Sequence, residues 1–253
     1  EKADGFFPGE KFCDLEFEKI SFSYVPDEII LNDVSFSVKA GQTIAVVGPT
    51  GSGKTTLVNL VIRFYDPSRG RVMINGCDLR LVDPSILRSK MAIVAQDPFL
   101  SSSTVRENIF QGISDLSEEK IDYVLDAANC RFVIERLPDG LDTNLSEGGL
   151  SISSGERQLI SIARAFAHDP ELIIFDEATS YIDSGTEAAI QEAMTNLMNE
   201  KTAIIVAHRL STARNADMII VLDKGKIIES GTHPDLMKKQ GFYYQLHQFR
   251  EIL

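Results

Sequence analysis

Apolar and polar residues alternate over Leu15, Phe17, Ile20, Phe22 and Tyr24, and again over Val34, Phe36 and Val38 before a turn at Ala40-Gly41. A period of two marks a strand with one buried face, so both stretches are expected to pair as antiparallel strands. Arg71–Ile74 reads as a further strand entering a hairpin turn at Asn75-Gly76. Ile44–Val47, Leu172–Phe175 and Ala203–Ala207 are continuous apolar runs, each followed by polar or Gly-rich residues and then a helical pattern. Strands buried on both faces read this way, which predicts a parallel sheet covered by helices. From about 104 to 168 the pattern turns helical. Ser117 is placed to cap a helix with Glu118 and Glu119 in its first turn and Ile121, Val124, Leu125 and Ala128 on one face. The tail from Thr232 to Leu253 predicts two short helices broken near Gly241. The fold class is α/β: a parallel core, an antiparallel β subdomain and an inserted α-helical subdomain.

Charge narrows the function. The 253 residues carry 25 Lys+Arg against 37 Asp+Glu, a formal net of −12. Phosphate neutralisation needs a basic stripe, so a nucleic-acid partner is not expected. At 43% hydrophobic and 25% charged, the composition is that of a globular domain. Runs such as Met218–Leu222 are strand-sized, far below the roughly 18–20 apolar residues of a membrane helix. The opening residues, EKADGFFPGE, hold no apolar h-region, so no signal peptide is expected. Cys13, Cys77 and Cys130 are odd in number and widely spaced, which predicts a reduced cytosolic setting rather than disulfides or a metal site.

The chemistry sits where strands end. Gly48-Pro49-Thr50-Gly51-Ser52-Gly53-Lys54-Thr55, continued by Thr56, matches G-x-x-x-x-G-K-[ST] directly after the run Ile44–Val47 and before a helical stretch. Glycines there allow a tight loop with inward backbone N–H groups, and a helix N-terminus adds partial positive charge. Lys54 is expected to reach the β- and γ-phosphates and the Thr55 hydroxyl to ligate Mg²⁺. Leu172–Phe175 delivers Asp176 and Glu177 at a second strand end. Adjacent strand residues point to opposite faces, so the two acids should play different roles, Asp176 in the Mg²⁺ shell and Glu177 polarising an attacking water.

Taken together, these motifs resemble the nucleotide-binding domain of ABC transporters, in particular the exporter type, from about Phe12 to Phe242. Asp176 to Ser180 resembles the family's Walker B segment, and Ser180 to Asp183 its D-loop. Gln96 stands where the family has its Q-loop glutamine, a Mg²⁺ contact. His208 stands at the switch histidine and Tyr24 at the adenine-stacking aromatic. Thr143 to Gly149, with Glu147, resembles the exporter X-loop. The resemblance implies a P-loop, RecA-like core with the β subdomain over about 12–96 and 170–231, a helical subdomain over about 97–169, and C-terminal helices over 232–253. It implies ATP and Mg²⁺ as ligands, a second nucleotide-binding domain as partner, and transmembrane domains reached through the Q-loop and X-loop. The setting it implies is the cytoplasmic face of a membrane.

One segment departs from the pattern. Where the family reads Leu-Ser-Gly-Gly-Gln, this chain reads Ile152-Ser153-Ser154-Gly155-Glu156. Ser153 and Glu156 keep the S-x-x-E spacing of a capping box. In the family this signature covers ATP bound to the opposite domain. A carboxylate at Glu156 and a side chain at Ser154 are therefore expected to weaken the site the chain covers for its partner, as in one half of a heterodimeric exporter. The alternative is an ABC ATPase outside transport; the acidic charge and the absence of a basic insertion count against it. A GTPase would need an Asn-Lys-x-Asp motif, which is absent.

Overall fold

The computed structural model describes residues 6–12, 14–95, 97–145, 152–177, 184–207 and 210–250. Its strands are β1 Asp14–Ser23, β2 Ile29–Lys39, β3 Thr43–Val47, β4 Arg69–Ile74, β5 Cys77–Asp78, β6 Met91–Val94, β7 Leu172–Glu177, β8 Thr202–Ala207, β9 Met218–Asp223 and β10 Lys226–Gly231. Its helices are α1 Lys54–Val61, α2 Pro84–Ser89, α3 Val105–Phe110, α4 Glu118–Ala127, α5 Arg131–Arg136, α6 Ser154–His168, α7 Ser184–Met198, α8 Leu210–Ala213, α9 His233–Lys239 and α10 Phe242–Arg250. The chain divides into one unit of residues 1–91, 171–178 and 201–253 and another of 92–170 and 179–200.

The first unit holds two sheets. One is antiparallel in the order β2-β1-β4-β5. Buried positions on β1 switch from odd (Leu15, Phe17) to even (Ile20, Phe22) because the register shifts after Phe17, with Lys19 at φ 47°. The hairpin between β4 and β5 turns on Asn75 and Gly76, both at positive φ as a primed turn requires. The other sheet runs β10-β9-β3-β8-β7, with β9, β3, β8 and β7 parallel and β10 antiparallel at the edge. Alternate strand residues bury on opposite faces: Ile44, Val46, Ile204 and Val206 join Leu57, Leu60 and Val61 of α1 in one core, while Ala45, Ala203 and Ile205 are equally buried. That is why these strands read as continuous apolar runs.

The second unit is mainly helical. α6 packs on α3, α4 and α7. Ser117 caps α4 by accepting from Lys120 N–H, as its position predicted. α7 belongs to this unit, tied by Asn129, whose side chain donates to Ala189 O and to the Glu192 carboxylate at 2.9 Å. The tail forms α9 and α10, broken at Gly241 as expected. The Glu229 carboxylate accepts from Phe242 N and Tyr243 N and so caps α10. Among the described residues, no helix is long and apolar enough to cross a membrane.

Candidate functional site

β3 ends at Val47 and the chain turns at once into the glycine-rich loop. Glycine is required at two positions, by backbone packing at Gly48 and by a positive φ at Gly53. A Cβ on Gly48 would lie 2.0 Å from Leu222 O, and one on Gly53, at φ 105°, would lie 2.7 Å from Leu31 Cδ2. The loop is thereby pressed onto β9 and β2 while its other side stays open. Ser52 N–H donates to Pro49 O, and Gly225 N–H donates to Ser52 O, which ties the loop to the β9–β10 turn. Ser52 Oγ is buried, with no hydrogen-bond partner among the described residues.

α1 starts at Lys54 with Gly53 as its N-cap, no side-chain cap and no acid in its first turn. Its leading N–H groups therefore face the loop with the partial positive charge of a helix start, and no carboxylate of its own first turn offsets it. Lys54 is only 5% exposed, and its ammonium donates to Gly48 O and Pro49 O at 2.9 Å each. Tyr24, Ile30, Thr50, Gly51, Gly53, Lys54, Thr55 and Thr56 line a cavity of about 280 Å³. No described residue stands within 4 Å of a Cβ built on Gly51, so the loop offers open backbone there. A polyphosphate fits this cradle by charge and by donor supply.

β8 separates β3 from β7, and Val46 pairs with Val206, which pairs with Asp176. Asp176 thus stands level with the end of β3, about 10 Å away by two strand spacings. It is half-buried. An exposed Thr55 hydroxyl and a carboxylate at that strand end are oxygen donors of the kind Mg²⁺ takes. Glu177 ends β7 opposite Ala207; its side chain lies outside the described residues. So do Gln96, Glu147, Asp183 and His208, so no geometry attaches to those expectations.

Tyr24 follows β1 and lines the cavity, 47% exposed. Its hydroxyl donates to Thr56 Oγ1 at 3.3 Å and accepts from Asn59 Nδ2 at 3.1 Å. Phe22 and Tyr65 meet its ring nearly perpendicular, with centroids 4.9 and 5.1 Å away. Asn59 and Tyr65 were not expected from sequence; nothing local marks them, because their partner lies 35 and 41 residues earlier.

In the second unit Ser153 caps α6, and the box is closed in both directions: Ser153 Oγ accepts from Glu156 N–H, and Glu156 Oε2 accepts from Ser153 N–H at 2.8 Å. Ser154 is exposed and Gly155 buried. The sequence suggests an uncompensated carboxylate here. The structure turns Glu156 inward, 13% exposed, with Oε1 accepting from Arg136 Nη1 at 3.1 Å. Both oxygens are engaged, which blunts the charge expected of this position. Arg136, 20 residues upstream on α5, carries no sequence signal of that role.

Residues 31–180 match the family model for the ABC transporter. The chain is 48% identical over 92% of its length to an uncharacterized ABC transporter ATP-binding protein, YfiC, of Bacillus subtilis, covering 39% of that protein. It is 45% identical over 93% of its length to the ATP-dependent lipid A-core flippase of Desulfotalea psychrophila, covering 41% of it. Among solved structures it matches a bacterial Atm1-family ABC exporter with ATP bound, at TM-score 0.90 and 38% identity, covering 98% of this chain and 43% of that one. The chain thus spans well under half the length of these relatives.

Proposed function

This chain belongs to the ABC transporter family, as an ATP-binding domain of the exporter type, an ATPase class, and from that premise we propose that it binds Mg·ATP, dimerises with a second such domain and powers export by transmembrane domains from the cytoplasmic face of a membrane. The observation that carries the reading is the loop cradle: an uncapped helix start, the buried Lys54 ammonium and open backbone at Gly51 around one cavity.

Gly48 to Thr56 bind the phosphates, Lys54 neutralising the β- and γ-oxygens, and Tyr24 stacks on the base. Thr55 and Gln96 would hold Mg²⁺, with Asp176 acting through water. The ion draws negative charge off the phosphate oxygens when bound. Glu177 accepts the proton of the water that attacks the γ-phosphorus in line as ADP departs, and His208 holds the closed arrangement. Asp183 belongs to the D-loop at the dimer interface. The Q-loop and X-loop regions face the transmembrane domains.

In the dimer, Ser153, Ser154, Gly155 and Glu156 cover the partner's ATP. The non-consensus spelling supports a weaker site there and a complete one at this chain's own motifs, so the partner is a different chain. Ser154 carries more of that asymmetry than Glu156, whose charge Arg136 already balances.

Two substitutions test the reading. Lys54→Ala should lower ATP affinity by calorimetry at a cost of about 2–5 kcal/mol, the scale of a truncated buried charge contact. Glu177→Gln should retain ATP and lose turnover by at least ~10²-fold. Unchanged ATP affinity in the first would sink the phosphate-loop assignment, and near-normal turnover in the second would move the chemistry to another group.

A further inference from the structure

Tyr24 lies just past β1, where strand pairing no longer fixes its backbone. What orients its ring is lateral. Thr56 and Asn59 are one turn apart on α1 and so share a face, and both bond the Tyr24 hydroxyl. Thr56 is buried, which gives the hydroxyl a fixed anchor. Phe22, also buried, and Tyr65 press on the ring from two directions, and they touch each other with centroids 5.6 Å apart. Perpendicular ring pairs at these distances are favoured by their quadrupoles and hold one orientation. α1 is also the helix whose first residue is Lys54. The ring and the phosphate cradle are therefore mounted on one helix, at a set separation.

We propose that Asn59 and Tyr65 are positioning residues for nucleotide binding: they pre-set Tyr24 as a base platform in register with the phosphate cradle. This rests on the reading of Tyr24 as the base-stacking residue. A side chain already ordered before binding loses less freedom when the base arrives. Base stacking on an aromatic ring is also tolerant of base identity, so pre-setting strengthens binding without reading the base. Asn59 acts through its amide donor and Tyr65 through its ring.

The test uses the chain in calorimetric titrations with MgATP and, separately, with inorganic tripolyphosphate, which has no base. Asn59→Ala and Tyr65→Ala should each weaken ATP about 3- to 10-fold, the scale of ordering one side chain, and leave tripolyphosphate affinity within about twofold. Tyr65→Phe, which keeps the ring, should restore ATP affinity. In a Tyr24→Ala background, neither change should weaken ATP further. If Tyr24→Ala weakens ATP while Asn59→Ala and Tyr65→Ala do not, the platform stands and the positioning role is overturned. If Tyr24→Ala itself leaves ATP affinity unchanged, the base-stacking reading fails instead. Equal losses for ATP and tripolyphosphate would show that the two residues support the loop, which also overturns the proposal. Tyr65→Leu, retaining apolar bulk, replaces Tyr65→Ala if the latter does not fold.

Discussion

Replacing Arg136 with methionine removes the ion partner of Glu156 and keeps most of the arginine's apolar stem. The wild-type contact is 3.1 Å, between a guanidinium 70% exposed and a carboxylate 13% exposed. Two unit charges about 4 Å apart attract by about 1 kcal/mol in water and about 4 kcal/mol at an effective dielectric of 20. With Arg136 largely in solvent the lower figure governs, and exposed pairs measure at about 0.2–1 kcal/mol. A loss of about 0.5–1 kcal/mol is a factor of about 2–5 in an equilibrium constant, on the scale where 1.4 kcal/mol is tenfold. Melting should fall by only about 1–4 °C in a chain of this size.

On the proposed dimer, ATP-driven association gives the sharper assay, because there an unbalanced Glu156 carboxylate would approach the γ-phosphate of the opposite site. In homodimers of the Glu177→Gln chain, where ATP persists at the very site that Glu156 covers, Arg136→Met should weaken association in sedimentation velocity about 2- to 5-fold, the same factor carried over. Glu156→Gln keeps an oxygen to accept from Ser153 N–H, so the cap survives while the charge goes. Added to Arg136→Met it should restore association, and alone it should change little. A double-mutant cycle isolates that coupling. Additive effects of the two changes, or a loss that Glu156→Gln does not rescue, would refute the charge-balance reasoning and restore Glu156 as an uncompensated carboxylate.

Two further outcomes follow from titration. Burial, with a smaller push from the charge of Glu156, raises the Cys130 thiol to about 12. At about pH 8 maleimide should therefore label the half-buried Cys77 well before Cys130, and peptide mass spectrometry that finds Cys130 modified in folded protein would contradict the packing at the start of α5. Burial pushes Glu171 upward, but hydrogen bonds from Lys90 Nζ, at 2.5 Å, and Phe12 N–H outweigh it and leave its carboxyl below the ordinary range. A lowered carboxylate stabilises the fold above its unfolded value, about 4.3, and loses that contribution as pH falls through the folded value. Glu171→Gln should therefore lower the melting temperature at about pH 7 and flatten its decline on the acid side; an unchanged acid limb would show the pair contributes nothing.

What could be read along the chain was whatever depends on neighbours in sequence. Continuous apolar runs marked β3, β7 and β8 because both faces of those strands are buried, and the jump from Phe17 to Ile20 held the register shift in plain view. The phosphate loop and the Ser153–Glu156 cap are legible because their partners lie within eight residues. Contacts between separate elements left no such trace. Glu229 caps α10 from within β10, Asn59 and Tyr65 meet a tyrosine some 35 residues or more before them, and Arg136 reaches Glu156 from another helix. The last case carries most weight. Residue type alone makes Glu156 a negative charge at a helix start, which on the proposed dimer argues for repulsion of the partner's ATP. A guanidinium on α5 cancels much of that charge, so the sign of the effect depends on a residue that spacing cannot pair with it. At such sites chemical type can be read from sequence, but the electrostatic consequence follows only from the partner.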